Sequence, residues 1–270
     1  MAAASALISY HNVWKAFGEQ PIYRGFNLSV HRGETLCIIG PSGFGKTVAL
    51  KMLIGLIRPD EGEVVFDGTH ITSLSSDTQL LPIRRRIAMV FQAAALFDSI
   101  SVFENIAYPL REQFDLTEEE IRARVMEKLA WVDLPDAAHK MPSQLSGGMK
   151  KRIGLARAIV TQPEVILYDE PTAGLDPVGT RRITDLIITL HQRLDCTGIV
   201  VTHDMPMVAR IAHRIALMGD HKVRAVGTFD ELLAHPDADV RDFLTANETP
   251  CRDAMNRVST DKEGMTTHAT

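Results

Sequence analysis

Residues Gly40–Thr47 read GPSGFGKT and directly follow an apolar run, Thr35–Ile39 (TLCII). That run has the length and composition of a buried strand. Val48–Leu56 follows and reads as a helix. A strand, a glycine-rich loop and a helix in this order are the context that the pattern G-x-x-x-x-G-K-[ST] requires. The pattern commits the chain to an α/β arrangement in which the loop joins a sheet strand to a helix N-terminus. Gly40, Gly43 and Gly45 let the backbone come close to crowded phosphate oxygens. Pro41, Ser42, Phe44 and Val48 complete the cradle, where successive amides and the helix N-terminus favour an anion. Lys46 is expected to reach the β- and γ-phosphates of a nucleotide, and the Thr47 hydroxyl to bind Mg²⁺.

Further segments carry the rest of this chemistry. Val165–Glu170 (VILYDE) is an apolar run ending in two carboxylates. In parallel α/β sheets, ligand chemistry lies at the carboxyl ends of strands. Asp169 then holds Mg²⁺ through its water shell, and Glu170 orients or deprotonates an attacking water. His203 follows another strand-like run, Gly198–Thr202. If that strand lies beside the one bearing Asp169, the imidazole reaches the γ-phosphate or the water. Gln92 ends the run Ile87–Phe91 and offers its amide to Mg²⁺ or the water.

Leu145–Met149 (LSGGM) opens a helix with Ser146, Gly147 and Gly148. A hydroxyl at a helix N-terminus makes a second anion site. Gly40–Thr47 already surrounds the same phosphates within one chain. A second γ-phosphate site therefore points to a nucleotide held between two copies. Lys150 and Lys151, next in sequence, read as a solvated basic face.

The chain has 270 residues, 45% of them hydrophobic, enough for a sizeable core. Its net charge of −5 gives no basic signature for nucleic acid. No run approaches 18 apolar residues, so a membrane span is not expected. Residues 1–9 (MAAASALIS) lack the basic and apolar regions of a secretory leader. Cys37, Cys196 and Cys251 are odd in number and far apart, and read as reduced cytoplasmic thiols. The 10 histidines have no metal-ligand spacing.

Strands are expected over Leu7–Val13, Ile22–Val30 and Val64–Phe66. Ser101–Arg111, Thr117–Trp131 and Gly147–Ile159 have helical spacing, and Thr117 with Glu120 makes a capping box. Alternation returns with Val165–Tyr168, Val178–Leu194, Gly198–Val201, Met205–His213 and Ile215–Met218. The reading is a helical insert at about 93–160 within a mostly parallel α/β core. Residues 245–270 are polar and Thr-rich, and read as a tail.

Over about residues 5–244 the chain resembles the nucleotide-binding subunit of an ABC transporter. Gly40–Thr47 resembles Walker A, Gln92 the Q-loop and Leu145–Met149 the signature. Val165–Glu170 resembles Walker B, Ala173–Asp176 the D-loop and His203 the H-loop. Phe17, in VWKAFGE, stands where the family stacks an aromatic on adenine. The resemblance implies a P-loop NTPase (RecA-like) core with a short antiparallel β subdomain and an inserted α-helical subdomain. It also implies ATP and Mg²⁺ as cofactors and a homodimer with two composite ATP sites, in which Asp176 contributes.

Two positions depart from the common pattern: Met149 replaces the signature's final Gln, and Val48 replaces a second hydroxyl after Thr47. Asn105–Glu112 (NIAYPLRE) and Leu145–Ile159 (LSGGMKKRIGLARAI) are similar to the ATPase of Mla-type phospholipid transporters, where a Met-ended signature is ordinary. That branch implies a polytopic permease, an MCE-domain protein and, in some members, a STAS-domain regulator, on the cytoplasmic face of the inner membrane. The apolar Ala93–Phe97 suits a groove that receives a permease helix. The motif set alone also fits an importer ATPase for an amino acid or a metal. A soluble relative in DNA repair or translation usually has a long coiled-coil insert or two fused nucleotide domains, and this chain has one set of motifs.

Overall fold

The computed structural model describes residues 6–245. Strands β1 (Ile8–Phe17) and β2 (Gln20–Val30) pair antiparallel around Gly18 and Glu19. In β2, Phe26, Leu28 and Val30 are buried while Asn27 is exposed, the period of two that a half-buried strand demands. β3 (Thr35–Ile39) is instead buried at every residue, as a parallel strand covered on both faces must be. Helix α1 (Lys46–Leu53) starts two residues earlier than its composition suggested, directly at the glycine loop. β4 (Glu61–Phe66) and β5 (Thr69–His70) complete an antiparallel sheet of order β2-β1-β4-β5.

α2 (Asp77–Arg86) leads into β6 (Ile87–Val90). Three helices then come before the next strand: α3 (Val102–Gln113), α4 (Glu118–Trp131) and α5 (Gly147–Ile159). The expected box on α4 forms, with Thr117 accepting from the Glu120 amide and Glu120 reaching back to the Thr117 amide at 2.8 Å. The chain returns to the core through β7 (Val165–Asp169), α6 (Pro177–Leu194), β8 (Thr197–Val201), α7 (Met205–Ile211) and β9 (Arg214–Gly219). It continues through β10 (Lys222–Gly227), α8 (Phe229–Leu233) and α9 (Ala238–Thr245).

The second sheet has the order β10-β9-β3-β8-β7-β6 and is parallel except at β10. Alternate residues of its strands feed two cores. Cys37, Ile39, Ile166, Tyr168 and Val200 face α3–α7. Leu36, Ile38, Leu167, Ile199 and Val201 face α1 and the antiparallel sheet. A slip of one residue would exchange the two sets, so the apolar pattern pins the register. That register sets Asp169 opposite Val201, so β8 does run beside the strand that carries the carboxylates.

Among the described residues, no helix is long and apolar enough to cross a membrane. Cys37 and Cys196 are buried and free. Cys251 and the proposed tail beyond Thr245 lie outside the described residues.

Candidate functional site

Gly40 closes β3 with φ of 139°, and a Cβ there would lie 2.7 Å from the Met218 carbonyl oxygen. Gly45 caps α1 in the left-handed region, and its Cβ would meet Ile22 at 2.4 Å. Only glycine fits either position. The Tyr23 hydroxyl donates to the Gly45 carbonyl at 2.6 Å and fixes the loop from below. Lys46 Nζ donates to the carbonyls of Gly40 and Pro41, each at 2.8 Å. Burial lowers its pKa, and the charges of Glu170 and Asp169 oppose that shift. Val48 and Phe44 pack against the core beneath the loop, which accounts for an apolar side chain at 48.

Gln20, Pro21, Ser42, Gly43, Phe44 and His221 line a hollow of about 230 Å³. Phe17 pairs with Gln20 across the β1–β2 hairpin, and so stands next to this hollow with its ring 49% exposed. The Lys15 ammonium lies 5.4 Å from that ring and 2.7 Å from Asp60, which also accepts from the Ala16 amide.

At the end of β7 the Thr47 hydroxyl donates to Asp169 Oδ1 at 2.7 Å. Glu170 follows with φ of 49°, a left-handed backbone that costs a non-glycine residue on the order of 1 kcal/mol. Neighbours hold it there. Its amide donates to Val201 O at 2.9 Å and its carbonyl accepts from the Ala173 amide at 3.1 Å. Thr172 donates to Asp204, and the Asp204 amide donates to Thr202, both at 3.0 Å, tying this turn to the one that carries His203. His203 Nδ1 stands 2.9 Å from Glu170 Oε2. The pair is not aligned for a hydrogen bond, and Oε2 stays buried without a hydrogen-bond partner. The sheet thus gathers Lys46, Thr47, Asp169, Glu170 and His203 at one edge.

Gln92 is exposed just beyond β6. The loop after it turns through two left-handed residues, Ala94 and Ala95. Arg157 on α5 donates to both of their carbonyls at 2.7 Å. Asn105, fully buried on α3, accepts from the Phe97 amide and donates to the carbonyls of Phe97, Ile100 and Ser101. Neither residue stood out in the sequence. Lys151 corrects an expectation: it is buried rather than solvated, and its ammonium donates to the Gln92 carbonyl at 2.5 Å. Helical period was the available signal, because Lys151 shares a face of α5 with Gly154 and Arg157.

Ser146 caps α5 by accepting from the Met149 amide at 3.3 Å. A Cβ added at Gly147 or Gly148 would meet nothing within 4 Å. Among the described residues, no hydrogen bond joins this helix start to Gly40–Thr47. Asp176 caps α6, accepting from the Gly179 amide at 2.6 Å.

Known proteins are similar to this chain across these residues. Residues 23–173 match the family model described as ABC transporter. The intermembrane phospholipid transport system ATP-binding protein MlaF of Haemophilus influenzae is 44% identical over 238 residues, 88% of this chain and 90% of that protein. A probable ribonucleotide transport ATP-binding protein, mkl of Mycobacterium tuberculosis, is 40% identical over 237 residues, 88% of this chain and 66% of that protein. Among solved structures, the dimeric post-hydrolysis state of the ATP-binding cassette MJ0796 bound to ADP and Pi superposes with a TM-score of 0.75 at 34% identity, over 82% of this chain and 98% of that one. The chain belongs to the ABC transporter family, as a subunit that binds and hydrolyses ATP.

Proposed function

We propose that this subunit powers phospholipid movement between bacterial membranes, working as a homodimer beneath a polytopic permease. The observation that carries the catalytic part is the meeting of Glu170 and His203, 2.9 Å apart, beside the Thr47–Asp169 pair. Glu170 would take or orient the proton of the attacking water, with His203 and Gln92 holding that water and the γ-phosphate. Lys46 would turn its ammonium to the β- and γ-phosphates within the amides of residues 42–48. Phe17 would cover the adenine. Thr47 and Asp169 present two hard oxygen donors 2.7 Å apart, the chemistry that Mg²⁺ takes, and the Gln92 amide oxygen would be a third. A Mg²⁺ held by these residues would supply charge neutralisation at the phosphates.

Ser146, Gly147 and Gly148 would serve the nucleotide on the other copy's Lys46, with Asp176 at the same junction. The open space around both glycines supports this reading, since their own chain does not need them small. In the same reading residues 1–244 form the ATPase domain, with its helical insert at about 93–160, and residues 245–270 a tail. The permease would rest on the exposed pair Phe97 and Tyr108, whose ring centroids lie 5.1 Å apart. An MCE-domain protein, and in some assemblies a STAS-domain regulator, would complete the complex at the cytoplasmic face of the inner membrane.

Cargo follows the relative that is named as the ATP-binding protein of an intermembrane phospholipid transport system and is similar over 90% of its length. Assembled with its permease in vesicles, the chain should transfer a fluorescent phospholipid with ATP, and not with a non-hydrolysable analogue. Transfer of a ribonucleotide or another soluble solute, with no phospholipid movement, would overturn the cargo and leave the ATPase standing.

A further inference from the structure

Lys151 lies five residues past the Ser146 cap and is only 8% exposed. Lysine ordinarily keeps its ammonium in water even when its stem is buried. Here the side chain is largely buried, and its ammonium donates to two backbone carbonyls, Gln92 O at 2.5 Å and Glu170 O at 3.4 Å. Burial lowers its pKa and the Glu170 charge opposes that. An apolar residue would fill this space without desolvating a charge. The cation therefore has a task that packing does not explain.

Two neighbours on the same face of α5 address the same loop. A Cβ at Gly154 would come within 3.3 Å of Ala94, so the helix and the loop are in close contact. Arg157 holds the carbonyls of Ala94 and Ala95. Lys151 is the member of this face that also reaches across to the turn after β7. The carbonyl it reaches belongs to Glu170 itself, whose backbone is left-handed with φ of 49°.

We propose that Lys151 is a positioning residue for ATP hydrolysis, its ammonium locking the Gln92 loop to the Glu170 turn so that both groups address the same water. The inference rests on the roles given above to Gln92 and Glu170. It has a second consequence. The helix that carries Lys151 begins at Ser146, so movement of α5 at one composite site is felt at Glu170, which serves the other.

The test uses the full chain in its dimer. Lys151→Met keeps length and removes charge, and Lys151→Arg keeps charge. Lys151→Met should lose roughly tenfold to a hundredfold in kcat, the effect of one charge-assisted bond, with ATP affinity and thermal midpoint nearly unchanged. Lys151→Arg should recover most of that rate. Combined with Gln92→Ala, the Lys151→Met loss should be less than additive. Normal kcat in Lys151→Met overturns the inference. So does a loss matched by a fall in thermal midpoint and in the fraction of active sites. If Lys151→Met does not fold, Lys151→Gln replaces it, and equal rates in the Gln and Arg variants overturn the inference. Glu170→Gln is run alongside: normal turnover there removes the role of Glu170 itself, whereas a dead Glu170→Gln beside a normal Lys151→Met removes only the role of Lys151.

Discussion

Two glycine-bearing loops each open a helix in this chain, and their own surroundings treat them differently. At Gly40 and Gly45 the chain leaves no room for a side chain, since Met218 and Ile22 crowd them, whereas Gly43 between them is open. Lys46 is already held by two carbonyls, and Tyr23 props the loop. At Ser146–Gly148 nothing stands within 4 Å of where a side chain would be, and Ser146 is exposed. The first loop is finished by its own chain. The second has open space at both glycines, which on the proposed reading a nucleotide bound to another copy would enter. Steric need for glycine thus separates a loop whose glycines its own chain requires from one whose glycines it does not.

The largest effect expected within the finished half is on the base. Glu170→Gln should keep ATP binding, cut turnover by roughly 10²–10⁴-fold and trap the closed dimer. Single-turnover hydrolysis measures it, and near-normal rates would remove the acid–base role. Next comes the division of labour between the loops. Neither Ser146→Arg chains nor Lys46→Ala chains should close a dimer alone. A mixed dimer pairs the intact Lys46 of one with the intact Ser146 of the other and leaves one whole composite site. Mixing should restore ATP-dependent dimerisation by light scattering; if it never does, the two loops do not meet in trans.

Stability separates the loops next. Gly45→Ala adds a Cβ at φ of 85° and 2.4 Å from Ile22, so it should destabilise the chain by about 2 kcal/mol or more. Gly148→Ala should leave the thermal midpoint unchanged and still impair dimer closure. Equal midpoints for both variants would break the contrast.

A smaller effect should appear far from both loops. Burial, and then the charge of His213, lower the His191 pKa from 6.5 to about 4. Its ring nitrogens face the hydroxyls of Tyr168 at 3.0 Å and Thr35 at 3.2 Å. The folded pKa lies below the unfolded one, so the unfolded chain binds the extra proton between about pH 6.5 and 4 and stability falls with pH in that window. Urea unfolding should find the chain about 2 kcal/mol less stable at pH 5 than at pH 8 from this group. His191→Gln should flatten that slope.

The finished loop was legible in the sequence because its causes are local. TLCII, the glycines and the helix after Lys46 are neighbours in sequence, and steric need acts on them directly. Asp169 and Glu170 were legible for the same reason, as the end of a buried run. Lys151 was not. In sequence it is the middle of a basic triplet, and its burial depends on how α5 is rotated against the loop after Gln92. α2 was missed although Ser76 and Gln79 form a capping box, because Pro82 stands inside it and interrupts the helical pattern. β10 was missed because its six residues end at Gly227 and its only alternation is the short run 222–226, too little to stand out against the turn residues Asp220 and His221 before it.

Asn105 has a consequence for how fast a partner can arrive. With its amide spent on Phe97, Ile100 and Ser101, the backbone beneath Phe97 is set before anything touches it. A surface that must order on contact loses part of its binding free energy to conformational entropy and waits for the right shape. On the proposed reading, this one would meet the permease already shaped. The association rate at that face would then be governed by diffusion and orientation, and differences in affinity between partners would be read in how long they stay.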